Sequence, residues 1–151
     1  MSYATVKEVL DYSQKLHHQA ANMFEQLRDR TQRERVDMVM KVLAAHEEHQ
    51  SVTTAAIRDD TSSDVLSEWH QLQVQQLGDI LDDCRGCHDD LNADELADLA
   101  LKINDYLIAL YEQLSADASS SQSRELFSEL AKREQLQKVR TVRTALSVND
   151  W

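Results

Sequence analysis

Three sets of residues in this chain have the types and spacing to do chemistry. Cys84-Arg85-Gly86-Cys87-His88 reads as Cys-x-x-Cys-His, the attachment sequence of c-type haem, in which two thioethers anchor the ring and the His takes an axial position. Cys84, Cys87, His88 and a nearby Asp can also hold zinc, and two thiols at this spacing can form a reversible dithiol. Haem attachment of that kind belongs to exported proteins, and no export pattern is visible, so unligated thiols in a connecting segment are the expected state. The second set is Glu47 with Gln50 and Glu134 with Gln137, each an acid and an amide three residues apart among apolar neighbours. The third is His17, on an apolar helical stripe.

These residues belong to a repeat. At an offset of 87 residues the chain matches itself without a gap, so that Phe24-Glu25-Gln26-Leu27 falls on Tyr111-Glu112-Gln113-Leu114. Leu43-Ala44-x-x-Glu47-x-x-Gln50 likewise falls on Leu130-Ala131-x-x-Glu134-x-x-Gln137. Two copies of one helical hairpin follow, with Glu and Gln repeated on faces that should be buried.

The apolar spacing predicts four long helices. The first runs from about Ser2 or Ala4 to Arg30 with Val6, Leu10, His17, Ala20, Phe24 and Leu27 on one stripe. The second runs from about Gln32 to Arg58 with Val36, Val39, Met40, Leu43, Glu47, Gln50 and Ile57 inward. The third follows Asn92, a plausible cap, and carries Leu96, Leu99, Ile103, Leu107, Leu110, Tyr111 and Leu114 to about Asp117. The fourth spans about Ser123 to Leu146 with Leu126, Phe127, Leu130, Glu134, Gln137 and Val142 inward. One domain is expected over 1–151: a first hairpin at about 3–58, a connection at about 61–92 and a second hairpin at about 93–147. So long a connection suits helices two and three running the same way. Its Val65, Leu66, Trp69, Leu72, Val74, Leu77, Ile80 and Leu81 predict a partly helical segment packed across the bundle, with Trp69 as a packing residue.

Composition narrows the functions. With no proline and only Gly78 and Gly86, the turn chemistry of strand hairpins is almost absent, and an all-helical chain follows. A formal net charge of -11 with no basic stripe argues against nucleic-acid binding. No apolar run approaches a membrane span and no signal peptide is visible, which predicts a cytoplasmic chain. Arg28, Arg30, Arg33 and Arg35 near the first turn, and Asp82, Asp83, Asp89 and Asp90 beside the Cys pair, read as solvated surfaces. No phosphate loop, hydrolase elbow or nucleophile with an obvious base is present, so Ser and Cys catalysis have nothing to rest on and the balance leans away from an enzyme without deciding it.

Leu-Ala-x-x-Glu-x-x-(His) on helices two and four, each preceded by an aromatic-Glu-x-Leu segment on helices one and three, resembles the ferritin-like superfamily, most closely its rubrerythrin branch. The resemblance implies an all-α four-helix bundle of two repeated hairpins. It also implies two iron or manganese ions at the centre, held by a Glu from each first helix and a Glu-x-x-His from each second. Carried over by position, Glu47 and Glu134 would be the bridging carboxylates. Gln50 and Gln137 stand where the family has His, and His17 and Asn104 stand where it has Glu.

Four of six ligands therefore differ, and two readings remain. Glu47, Glu134, His17 and Asn104, with Gln50 and Gln137 as weak outer ligands, can form a remodelled site for iron, manganese or zinc that acts on oxygen species or sequesters a metal. Alternatively, the same residues form a metal-free network in a non-catalytic scaffold or interaction protein, with one carboxyl keeping its proton. Amides at both His positions supply donors and lower metal affinity, which favours the second. A one-residue shift would make His46 and His49 the inward pair, but the gapless repeat argues against it, and His18 reads as a surface residue. Bundles of this family commonly pair, so the resemblance implies a homodimer.

Overall fold

The computed structural model describes residues 2–72 and 92–149. Its elements are β1 (Ser2–Thr5), α1 (Val6–Arg30), α2 (Glu34–Asp60), α3 (Ser63–Leu66), β2 (Trp69–Leu72), α4 (Ala93–Asp117) and α5 (Ser121–Asn149). Local chemistry sets the helix starts. Thr5 and Glu8 form a capping box ahead of α1, with the Thr5 hydroxyl accepting from the Glu8 N–H at 3.1 Å. Asn92 caps α4, its side-chain oxygen accepting from the Glu95 N–H at 2.8 Å. In the serine run that breaks the pattern, Ser120 accepts from the Ser123 N–H and starts α5.

Each hairpin is antiparallel. Arg58, near the end of α2, bonds Asp11 at 2.8 Å and Gln14 at 2.9 Å near the start of α1, while Arg28 meets Asp37 at 2.7 Å at the opposite end. Lys138 bonds Asp105 at 2.6 Å, and the Ser115 hydroxyl donates to the Arg124 carbonyl at 2.9 Å, so α4 and α5 are antiparallel too. Between the hairpins, Gln50 meets Gln137, and Thr61, Ser62 and Val65 share a groove with residues of α5 from Gln122 to Lys132. Thus α2 runs against α5 and alongside α4, as the long connection requires.

The inward stripes interlock in one core. Phe24, Met40, Leu43, Leu96, Ile103, Leu107, Tyr111, Leu114 and Phe127 are fully buried, and each such apolar side chain contributes about 1.5–3 kcal/mol of burial. Tyr111 stacks on Phe127 with centroids 6.3 Å apart, and His70 meets the same ring edge-on at 5.5 Å.

The structure corrects three expectations. The first helix begins at Val6, because residues 2–5 form a strand antiparallel to Trp69–Leu72, with Ala4 opposite His70. The Val6 N–H donates to the Glu68 carbonyl at 3.0 Å, which ties this ribbon to the helix. Trp69 is not a core residue: the two-residue alternation of the ribbon buries Ala4 and His70 and leaves Trp69 66 % exposed beside exposed Tyr3. Val142 also faces out, because the α5 stripe through Phe127, Leu130, Glu134 and Gln137 reaches Thr141 next. Of the connection, Val65 is buried and Leu66 partly so. Val74, Leu77, Ile80, Leu81 and the Cys84-x-x-Cys87-His88 sequence lie outside the described residues. Among the described residues no helix is long and apolar enough to cross a membrane.

Candidate metal centre

The bundle centre is polar, and its polar groups face one another. His17, Glu47, Asn104, Glu134, Gln50 and Gln137 come from the inward stripes of α1, α2, α4 and α5, and all are buried. His17 lies between the two carboxylates: Nδ1 is 2.6 Å from Glu47 Oε2, and Nε2 is 2.8 Å from Glu134 Oε1. Asn104 Nδ2 donates to Glu134 Oε2 at 3.1 Å. Beside them, Gln50 Nε2 donates to Gln137 Oε1 at 3.2 Å. Gln50 and Gln137 are equivalent in the repeat, so this bond joins the two hairpins at corresponding positions.

Two buried carboxylates in contact with one imidazole define the electrostatics. Burial alone lowers an imidazole's pKa, but the charges of Glu47 and Glu134 and their hydrogen bonds outweigh it and raise His17 to about 10. Burial also raises Glu47 above the usual carboxylate range, although His17 opposes this. The pair therefore keeps one proton on the short Nδ1 to Oε2 line through neutral pH, shared between imidazolium and carboxylic acid forms. In either form His17 Nε2 donates to Glu134. Tyr111 lines the same region. Burial first, and then the charge of Glu134, push its phenol well above the ordinary range, while the Ser13 hydroxyl partly offsets this.

All six positions read from the sequence thus meet at the centre. His17 and Asn104, equivalent in the repeat, do different work, since His17 reaches both carboxylates whereas Asn104 reaches only Glu134. His18 and His49 are exposed, with His18 3.5 Å from Glu48. His46 lies outside the centre with a buried Nδ1 lacking a hydrogen-bond partner. Burial, followed by the charge of Arg140, lowers its pKa. Sequence reasoning missed Thr54 and Thr141, which are also buried and 87 residues apart. Their hydroxyls donate to the Gln50 and Gln137 carbonyls at 2.7 and 3.1 Å, and Thr141 lies 3.5 Å from Asn104 Oδ1. Extending the repeat four residues beyond each Gln would have found them. Also missed was the pair Glu68 and His70, whose Oε2 and Nε2 atoms are buried without hydrogen-bond partners 3.9 Å apart. Burial first holds His70 below its ordinary pKa, against the opposing charges of Glu68 and Asp117.

The donor set does not fit a pair of metal ions. Both nitrogens of the single imidazole are committed to carboxylates, so the cationic position between Glu47 and Glu134 belongs to His17 itself. The amides are neutral, weak ligands that bond each other. Among the described residues, no three His, Cys, Asp or Glu side chains are arranged to hold a metal ion.

No protein-family model matches the sequence, and comparison with curated proteins finds none similar. A solved structure from Thermotoga maritima, described as a ferritin-like diiron-carboxylate protein, matches with a TM-score of 0.66. It is 16 % identical over 96 % of this chain and 97 % of its own. At that identity the likeness gives the fold, which is ferritin-like.

Proposed function

We propose that this ferritin-like bundle is a non-catalytic scaffold or interaction protein, its standard di-iron site replaced by a proton-bearing network. The observation that carries the reading is His17 held between Glu47 and Glu134 by both ring nitrogens at 2.6 and 2.8 Å. An imidazolium there neutralises part of the buried negative charge, as a bound cation would, and ties α1 to α2 and α5 by hydrogen bonds, while Asn104 ties in α4 through Glu134. The repeated amides support the same reading, because Gln50 and Gln137 satisfy each other. Holding the bundle rigid is then the role of the centre, and its outer faces carry the biological contacts.

Metal loading tests this. Protein incubated with iron, manganese and zinc, desalted and analysed for bound metal is expected to retain well below one equivalent of each, with no rise in melting temperature. Near-stoichiometric metal that Glu47→Gln or Glu134→Gln abolishes would instead establish a remodelled site at His17, Glu47 and Glu134, in a protein that sequesters a metal or acts on oxygen species.

A further inference from the structure

The second half of α5 carries a face that the bundle does not use. Lys132, Leu136, Val139, Arg143 and Leu146 recur at intervals of four, three, four and three, the seam spacing of paired helices. They lie opposite the buried Leu130, Glu134, Gln137 and Thr141. All five are exposed, Leu136 and Leu146 by 60 % and Val139 by 46 %, and Val142 at one margin is also open. From Lys132 to Leu146 the seam is about 21 Å long at the ordinary helical rise.

Charge sets this face apart. Residues 132–149 hold five of the chain's 16 Lys and Arg residues and only one of its 27 Asp and Glu residues, the buried Glu134. Lys138 is bound to Asp105 of α4. Lys132, Arg133, Arg140 and Arg143 are exposed and form no ion pair among the described residues. Arg140 stands near enough to His46 of α2 for its charge to act on that ring, and Arg133, seven residues back, lies on the same flank.

The corresponding α2 residues are Ala45, His49, Val52, Ala56 and Asp59, with His46 and Thr53 at the flank positions, and none is Lys or Arg. Outside, α2 exposes Met38, Val42 and Val52, but the charges among them, Lys41 and Glu48, are of opposite sign. Of these two helices, only α5 combines an apolar seam with edges of one sign.

Such a seam fits an amphipathic helix whose own edges are acidic. Its narrowness argues against broader anionic surfaces. On the α4 side, exposed Asp105 and Glu112 stand beside Lys138 and Gln135, and a bilayer or a nucleic acid laid over α5 would bring its phosphates against them. A single helix follows the seam and avoids them.

We infer that the outer face of α5 from Lys132 to Leu146 is a docking surface for an acidic amphipathic helix of another protein. Its apolar side lies on Leu136, Val139 and Leu146, and its carboxylates meet Arg133, Arg140 and Arg143. This gives the interaction role proposed above a surface and a partner chemistry, and rests on that reading only for its use. Metal content reports on the centre and helix binding on α5, so the two fail separately.

Fluorescence anisotropy with the full chain and two labelled peptides tests it. One is a helix former with Leu at the seam spacing and Glu beside each Leu, and the other has Lys for every Glu. The acidic peptide is expected to bind, more weakly as salt rises, and the basic one not to bind. Leu136→Ser, at an exposed position, should weaken binding at least tenfold with an unchanged circular dichroism spectrum, while Lys41→Glu on α2 should leave binding as it was. Arg140→Glu with Arg143→Glu should transfer binding to the basic peptide, which a loss of fold would not do. Equal binding of both peptides, binding of neither, or capture by phosphatidylglycerol vesicles or duplex DNA in place of the acidic peptide would overturn the proposal. So would self-association that Leu136→Ser abolishes, which gives the seam to a second copy. Binding that appears only after Asp79→Asn, Asp82→Asn and Asp83→Asn are combined would overturn it too, giving the seam to residues 73–91.

Discussion

The first and second hairpins agree at Glu47 and Glu134, at Gln50 and Gln137, and at Thr54 and Thr141, but differ at the inward position held by His17 in one and by Asn104 in the other. That difference organises the centre. An imidazole has two nitrogens on opposite edges and reaches both carboxylates, whereas the shorter amide of Asn104 reaches one. The hairpins also differ outside, where Met38, Val42 and Ala45 of α2 correspond in the repeat to Glu125, Glu129 and Lys132 of α5. Duplication supplied a symmetric scaffold, and the chemistry lies where the symmetry is broken.

Removing His17 should break the comparison hardest. His17→Ala leaves two buried carboxylates without the imidazole that bonds both, and chemical denaturation is expected to show a loss of about 3–5 kcal/mol. Asn104→Ala, at the equivalent position, should cost only about 1–2 kcal/mol, because Glu134 keeps His17. Equal losses at the two positions would mean that the asymmetry has no energetic content.

Acidity sharpens the same contrast. The folded-state pKa of His17 is raised from 6.5 to about 10, so its contribution is complete below about pH 6.5 and is lost as pH rises through about 10. The raised pKa of Glu47 acts in the same direction, since the folded state holds that proton more tightly than the unfolded chain does. The wild-type melting temperature is therefore expected to fall across this window. His17→Asn, which makes the two hairpins alike, should flatten the slope, and an unchanged slope would move the titrating group elsewhere.

The two acids should also be unequal. Glu134 receives bonds from both His17 and Asn104, while Glu47 meets His17 alone. Glu134→Gln is thus expected to lower stability by about 2 kcal/mol and Glu47→Gln by about half as much. The smallest effect concerns the two amides that bond each other. Gln50→Leu or Gln137→Leu alone should cost about 1 kcal/mol by leaving one buried amide unpaired, and the double substitution should cost less than the sum. A double-mutant cycle with no coupling energy would remove the Gln50 to Gln137 bond from the account.

Much of this was legible before any coordinates. The stripes on the four helices, the Asn92 cap and the inward placement of Glu47, Glu134, His17 and Asn104 all follow from periodicity and the repeat. Trp69 and Val142 were misread because an apolar residue in a helical context was assigned to the core. Trp69 instead obeys the two-residue alternation of a ribbon, and Val142 falls one position beyond the stripe that Thr141 continues. The ribbon itself could not be read, because the four-residue runs Ser2–Thr5 and Trp69–Leu72 become strands only by pairing across more than sixty intervening residues.

The sequence by itself determined the duplicated hairpins and the polar residues that turn inward. Those are local properties, set by a helix repeat of about 3.6 residues. Only the tertiary structure decided that one imidazole serves both carboxylates, that Gln50 meets its own counterpart, and that the outer seam of α5 is left uncovered by the described residues. Each of these depends on how far apart and at what level the helices pack. That geometry comes from the whole core, and no spacing along a single helix contains it.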